Sequence, residues 1–447
     1  MKINSITNHT LNVQRSFRQN KTNNIDALSS NKNSKYIGIG CATLALAGLA
    51  GVFLHKKGKA QVLDTEFKNK ILSALKNDGI DTSIDSLKSI VGPQEFSNLV
   101  KEFKPEHFRA GLQTAKSDIP IEKFYANSIN GDFRVSLHTH SNFSDGKATP
   151  EEFLECARKY ADKVADLNKN DNLPPFTIAL TDHDCIDGTK EIIKLIAKNP
   201  KKYKNLKFVA GCEFSVKNGD KHHDVTGLAL NPFDEKLNNM LQDLKSNRQK
   251  TVNNFLNSQN TKITIDDLSN YEKQYYISKG KNGKRTIENG SGVVFVRHAI
   301  KYYYKLIDKP IYTAEINKLG TKDVLPIEQV VDTINQNGGI ASLTHPLKSF
   351  WTYIGDSELL RLKNMGIKGI EVNHQYTPSK IRKIGQKSGY GEENADNALK
   401  ELSEKYKNFA DKNDMFLSGG TDSHEMQIFS REPKITKDFL EQKILKA

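Results

Sequence analysis

From about residue 133 onward, short apolar runs recur between longer stretches of mixed character. Residues 134–137, 176–180, 206–210, 225–230, 339–344 and 415–418 each have the length and apolar density of a short buried strand. Between runs the pattern turns helical. Thr149-Pro150-Glu151-Glu152 reads as a helix start, with Thr as cap, Pro in the first helical position and Glu three residues after the cap. Strand and helix alternating in this way predict parallel βα units. Between Pro232 and Asp323 the alternation lapses into polar helices and a Gly/Lys-rich loop at 279–284, so an inserted, mainly helical segment is expected at about 232–323. Upstream, Phe67, Ile71, Leu72 and Leu75, and again Phe96, Leu99, Val100 and Phe103, fall at helical spacing. Residues 55–130 are accordingly expected to be a helical spacer, with 1–35 a disordered polar tail, 36–54 an apolar helix and 131–447 the principal domain.

The chemistry sits where the runs stop. The first ends in His138 and His140, and side chains two apart on a strand point the same way, so both imidazoles aim at one spot. Asp145 follows on the next turn. Two imidazoles converging with a carboxylate form a metal-ligand arrangement; the plain alternative is two polar strand residues facing solvent. The other runs lie beside Thr181-Asp182-His183-Asp184, Gly211-Cys212-Glu213, His222-His223-Asp224, His345-Pro346 and Thr421-Asp422-Ser423-His424. Nine of the twelve histidines lie between His138 and His424, most of them next to a predicted strand. In an α/β barrel the strand ends share one face, where active sites are built.

The series H-x-H with S-D-G, then T-D-H-D, G-x-E-x-S, T-H-P and T-D-S-H closely resembles the PHP (polymerase and histidinol phosphatase) phosphoesterases, in order and interval, from about Phe133 to Glu425. Residues 325–346, and the segment from Arg248 through Arg297-His298-Ala299, resemble the branch of nucleoside 3′,5′-bisphosphate phosphatases and 5′→3′ exonucleases. The resemblance implies a distorted seven-stranded (β/α) barrel with a helical insert. It also implies up to three divalent metal ions. The first would use His138, His140, Glu213 and Asp422; the second Glu213, His345 and one ligand from His222–Asp224; the third Asp145, His183 and His424. A His, Asp and Glu set without Cys suits Mn²⁺ best, with Zn²⁺ or Fe²⁺ as alternatives. Such ions would activate water as hydroxide and neutralise phosphoryl charge, and His183 or His424 would protonate the leaving oxygen if not bound to metal. Arg297 and His298 match a substrate-side element.

Two positions depart from the family pattern. Asp224 stands where the family places a histidine, with His223 one residue earlier; neighbours on a strand face opposite ways, so only one reaches the site without a bulge. Pro346-Leu347-Lys348 replaces Pro-Gly-Arg, and Lys348 would meet a phosphate as a point charge without the guanidinium fork. His374 follows a strand-like segment and reads as a structural histidine; Asp182 and Asp184 read as groups that orient their neighbours.

Composition changes less. The net charge of +13 is concentrated before residue 60, where 1–35 carries six basic residues against Asp26 alone and Lys56, Lys57 and Lys59 follow. It therefore says little about nucleic acid binding by the domain. Residues 36–54 form 19 positions without charge, near the length of a bilayer span, so a single-pass membrane anchor with the catalytic domain on the cytoplasmic side is expected. A cleaved signal peptide and a buried helix are the alternatives. Cys41, Cys156, Cys185 and Cys212 show no C-x-x-C spacing and imply no disulfide framework. The expected activity is metal-dependent hydrolysis of a phosphate ester on a nucleotide, such as a 3′,5′-bisphosphate, or on a short oligonucleotide, with no stable protein partner. A phosphatase of another small metabolite of the histidinol-phosphate kind, and a non-catalytic membrane-tethered scaffold, are the rival readings.

Overall fold

The computed structural model describes residues 64–108, 134–167, 174–278, 286–320, 323–374 and 376–424. The tail 1–35 and the apolar stretch 36–54 lie outside the described residues. Among the described residues no helix is long and apolar enough to cross a membrane, which overturns the expected single-pass membrane placement. The reason is physical: helices such as Pro150–Leu167 and Ala395–Lys412 are two-faced, with one apolar stripe buried and charges along the other.

Strands β1 (Ile90–Val91), β2 (Val135–Ser136), β3 (Thr177–Leu180), β4 (Lys207–Asn218), β5 (Lys221–Leu228), β6 (Leu325–Pro326), β7 (Ile340–Leu343), β8 (Ile367–His374) and β9 (Phe416–Gly420) form one sheet. Its main path runs β2-β3-β4-β5-β7-β8-β9, with β1 and β6 each paired to β4. The ends of that path also meet. Leu137 N donates to Gly419 O, Asp422 N to His138 O and His140 N to Ser423 O, at 2.9–3.0 Å. The sheet is thus a nearly closed barrel. Closure brings β9 so near His138 that a Cβ on Gly420 would lie 2.5 Å from the His138 backbone nitrogen, and glycine is required there.

One expectation of parallel βα units fails instructively. β4 and β5 are antiparallel, joined by the tight turn Gly219-Asp220 with Gly219 at φ +59°, and β5 is antiparallel to β7 as well. So short a connection cannot carry a crossover, and a hairpin is its only outcome. Because β5 runs backwards, its beginning lies at the end of the barrel where its neighbours finish. That is why Asp224 precedes the apolar half of its strand while Glu213 follows the apolar start of its own.

Residues 64–108 form part of the barrel's wall. The helix over 64–77 buries Phe67, Ile71, Leu72 and Leu75 in one cluster with Phe153, Ile178, Ile192 and Phe208. Each such side chain contributes roughly 1.5–3 kcal/mol relative to exposure. β1 extends the sheet along β4, and Phe96 and Leu99 pack with Val135, Val209 and Leu228. Between β5 and β6 come the helices Glu235–Ser258, Ile265–Ile277, Thr286–Asn289, Gly292–Leu306 and Thr313–Gly320. Val252, Phe255, Leu268, Phe295, Ile300 and Tyr303 give them a core of their own.

Candidate metal centre

The carboxyl ends of β2, β3, β4 and β9 and the start of β5 present their polar residues to one point. His138 Nε2 lies 3.1 Å from His140 Nε2 and 3.0 Å from Glu213 Oε2, and His140 Nε2 lies 3.1 Å from Asp422 Oδ1. These four residues offer ligand atoms within 4.8 Å of one another. A second convergent set is His140, Asp145, His183 and His424, with His424 Nε2 3.1 Å from Asp145 Oδ1. A third is His183, Glu213 and Asp224. Glu213, fully buried, touches all the neighbours that matter: His183 Nδ1 at 3.3 Å and His345 Nε2 at 3.0 Å in addition to His138 and His140.

The local backbone is built for this. Asp182 accepts from Ser141 N, Ser141 Oγ and Ser144 Oγ at 2.6–2.7 Å, which pins the loop that carries Asp145. A Cβ on Gly146 would lie 2.4 Å from His140 O, so the loop folds back tightly only with glycine there. Asp184, His345 and Asp422 adopt φ of 46°, 27° and 46°, a left-handed backbone that costs non-glycine residues about 1–3 kcal/mol each. Strain at ligand-bearing positions marks a site whose geometry is imposed by the surrounding fold.

Electrostatics agree. Burial alone would lower His138 and His140. The carboxylates of Glu213, Glu371 and Asp422 outweigh it at His138 and hold that imidazole well above its ordinary range; Asp422 and Glu213 lift His140 to about 10. Burial, then Glu213, pushes the Asp224 carboxyl up to about 7. Burial and the Lys348 ammonium push His345 down to about 3. Such a concentration of buried carboxylates demands positive charge. Two Nε2 atoms 3.1 Å apart cannot both point protons at each other, and His140 Nδ1 is buried with no hydrogen-bond partner. Lone pairs converging with carboxylate oxygens fit divalent cations, and the absence of Cys favours Mn²⁺, Fe²⁺ or Zn²⁺.

Of the residues expected from sequence, His138, His140, Asp145, His183, Glu213, Asp224, Asp422 and His424 fall within these sets. His345 adjoins them through Glu213. His223 does not: its buried ring packs 5.0 Å from Phe350, on the opposite face of β5 from Asp224. His298 Nδ1 is 3.0 Å from Glu272 Oε1, inside the helical insert, and Arg297 lies over Gly320. Lys348 reaches the centre, its Nζ 2.9 Å from Asp422 Oδ2.

Sequence reasoning missed Glu371. Its carboxylate accepts from His138 Nδ1 with both oxygens at 3.1 Å and from His345 N at 2.8 Å, fixing the orientation of one expected ligand and the backbone of another. A lone carboxylate inside the apolar segment Gly369-Ile370-Glu371-Val372 was the available signal. It also missed how the insert reaches the centre. Arg248, buried on the helix Glu235–Ser258, lies 2.9 Å from Asp184, and Asn289 Nδ2 donates to Asn142 O at 2.7 Å.

Barrel and centre together define a class: this is the arrangement of a metal-dependent hydrolase of phosphoric esters. The resemblance to the PHP phosphoesterases carried by the motifs stands, and it is matched by a sequence relative. A 3′,5′-nucleoside bisphosphate phosphatase of Chromobacterium violaceum is 25% identical over 243 residues, covering 53% of this chain and 76% of that one. Among solved structures, a chain from Bifidobacterium adolescentis described as a metal-dependent phosphoesterase is 19% identical with a TM-score of 0.43, covering 70% of this chain and 95% of its own. An amidohydrolase from Chromobacterium violaceum, solved with sulfate and no metal, is 19% identical with a TM-score of 0.41, covering 70% and 96%. A two-domain protein from Bacteroides vulgatus containing a PHP-like phosphoesterase domain is 12% identical with a TM-score of 0.27, covering 65% and 52%. No family model matches the chain.

Proposed function

We propose that this protein removes a phosphate from a nucleotide, a nucleoside 3′,5′-bisphosphate or the end of a short oligonucleotide, with Mn²⁺ as the working metal. The observation that carries the reading is the meeting of His138, His140, Glu213 and Asp422 at 3.0–3.5 Å, beside the set made by Asp145, His183 and His424. Divalent cations held there supply Lewis-acid activation of water and neutralise charge on the phosphoryl oxygens. The chain's own residues do the rest. Glu213 and Asp422 meet the Nε2 atoms of His138 and His140 at 3.0–3.5 Å and converge with them on the centre. Glu371 fixes the His138 tautomer by accepting from Nδ1, leaving Nε2 directed at the centre. His424 is one-third exposed, the most open of the expected ligands, so it meets the substrate side; if not bound to metal, it is placed to give a proton to the leaving oxygen.

The nucleotide assignment draws its support from the bisphosphate phosphatase relative and from the insert, whose helix Gly292–Leu306 begins against His183 and carries Arg297 and His298. Phosphate release from a panel of nucleoside 3′,5′-bisphosphates, short RNAs and small phosphomonoesters such as histidinol phosphate, with Mn²⁺ and with chelator, tests it. Release confined to bisphosphates or RNA ends and abolished by chelator is expected. Equal turnover of unrelated small phosphomonoesters would remove the nucleotide reading.

A further inference from the structure

His345 is set apart from the other expected ligands. Its Nε2 is 3.0 Å from Glu213 Oε1 and 3.8 Å from Asp224 Oδ2, yet among the described residues it joins no group of three or more convergent ligand atoms. What its nitrogen does face is an ammonium: Lys348 Nζ lies 3.3 Å away. The same Nζ lies 2.9 Å from Asp422 Oδ2, while Asp422 Oδ1 is turned to His140 and His138. The Asp422 carboxylate therefore has one oxygen on the convergent histidines and the other on a lysine.

The sequence explains why the lysine is there. The short helix Pro346–Ser349 starts directly after His345, and Lys348 N donates to His345 O at 2.8 Å. Three positions along a helical turn, the side chain comes back over the residue it left. The Glu213 and Asp224 carboxylates, 3.0 and 3.8 Å from His345 Nε2, add negative charge on this side of the site. His374 Nε2, 3.7 Å from Asp422 Oδ2, closes the other side.

We infer that Lys348 is a built-in cation that takes the place of one divalent ion, so that this chain binds two metal ions where the PHP pattern implies three. An ammonium donating towards the His345 lone pair uses the electrons a metal would need. The ion displaced is the one that would use Glu213, His345 and Asp224, because the ammonium already sits at the His345 nitrogen that ion needs. Lysine suits this role because a compact point charge on a flexible stem fits into a space of metal size. The inference rests on the reading that the centre takes divalent cations.

The test counts ions. The full-length protein and its Lys348→Met and Lys348→Arg forms are saturated with Mn²⁺, desalted and analysed for manganese per chain by elemental mass spectrometry, with calorimetric titration of Mn²⁺ into the metal-free forms as a second count. Two equivalents are expected in the parent and in Lys348→Arg, and three in Lys348→Met. Three equivalents in the parent, or the same number in the parent and Lys348→Met, overturns the inference. If Lys348→Met fails to fold by circular dichroism, the parent count decides, with three overturning the inference and two supporting it. No manganese in any form would instead sink the metal-dependent reading on which it stands.

Discussion

Carboxylates occupy two very different settings in this molecule. At the barrel mouth, Glu213, Glu371 and Asp422 are at most 5% exposed, and their partners are imidazoles and one lysine drawn from four strands and a short helix. On the outer helices, Glu155 is 29% exposed and pairs with Arg158 one turn away and with Lys202. Both sets lie within hydrogen-bonding distance of cations. They differ in what happens if a partner is lost. Outside, water takes over at little cost, and such pairs contribute about 0–1 kcal/mol. Inside, nothing takes over, so each charge depends on the others and the whole set holds one geometry. The shell can change residue by residue; the mouth can change only as a unit.

The largest effect expected from that difference is at Glu213. Glu213→Gln keeps the shape and removes the charge that faces His138, His140, His183 and His345. Bound manganese should fall sharply, and Mn²⁺-dependent phosphate release should drop by roughly 10³-fold or more, several kcal/mol of transition-state stabilisation. Metal content and phosphate release of the folded variant check it. Parent-like metal binding would show that the mouth does not act as a unit around Glu213.

Next is the buried pair from the insert. Arg248→Leu leaves Asp184 buried without its cation and should destabilise the protein by about 3–5 kcal/mol in urea unfolding. The double form Arg248→Leu with Asp184→Asn should recover a large part of that loss. No recovery would show that Arg248 matters by packing alone, and would separate the insert from the mouth energetically.

Glu371→Gln should have an intermediate effect, since its partner His138 keeps its place but loses the carboxylate that fixes its tautomer. A 10–100-fold loss in Mn²⁺ affinity is expected, read by calorimetric titration. An unchanged affinity would mean that β8 contributes only wall to the barrel.

These residues also show what was legible in the chain before its structure. The ligand motifs were legible because each is contiguous: a strand ending in His or a carboxylate states its own local geometry, as His138 and His140 do. Asp224 and His223 illustrate the same rule, because strand alternation says that they face opposite ways and only the hairpin of β4 and β5 says which face is the centre. Glu371 and the Arg248–Asp184 pair were not legible as a site. Their meaning lies in contacts 233 residues apart for Glu371 with His138, and from the insert to the end of β3 for Arg248 with Asp184. The helix over 64–77 was visible as amphipathic, but amphipathicity shows that a face is buried, not what buries it. That is why a stretch read as a spacer proves to be part of the barrel wall. The nearly closed barrel was anticipated from the family resemblance, with which the alternation of runs agrees; the reversed β5 was not, although the turn Gly219-Asp220 held the clue.

The smallest effect sharpens the comparison from the other side. The hydrogen bond from Arg158, aided by Lys202, holds Glu155 down at about 2 against an ordinary 4.5. With the folded value below the unfolded one, the pair's contribution is present above pH 4.5 and is lost as pH falls from 4.5 towards 2. Solvent screening keeps that contribution small, about 0.5 kcal/mol, and 1 M salt should reduce it further. Glu155→Gln should therefore lower unfolding free energy by that amount at pH 7 and by progressively less below pH 4.5, with phosphate release unchanged. Urea unfolding of parent and variant at pH 7 and at pH 4 measures it. A loss above about 2 kcal/mol at pH 7 would mean that this outer pair is as interdependent as the mouth, and the contrast between the two settings would fail.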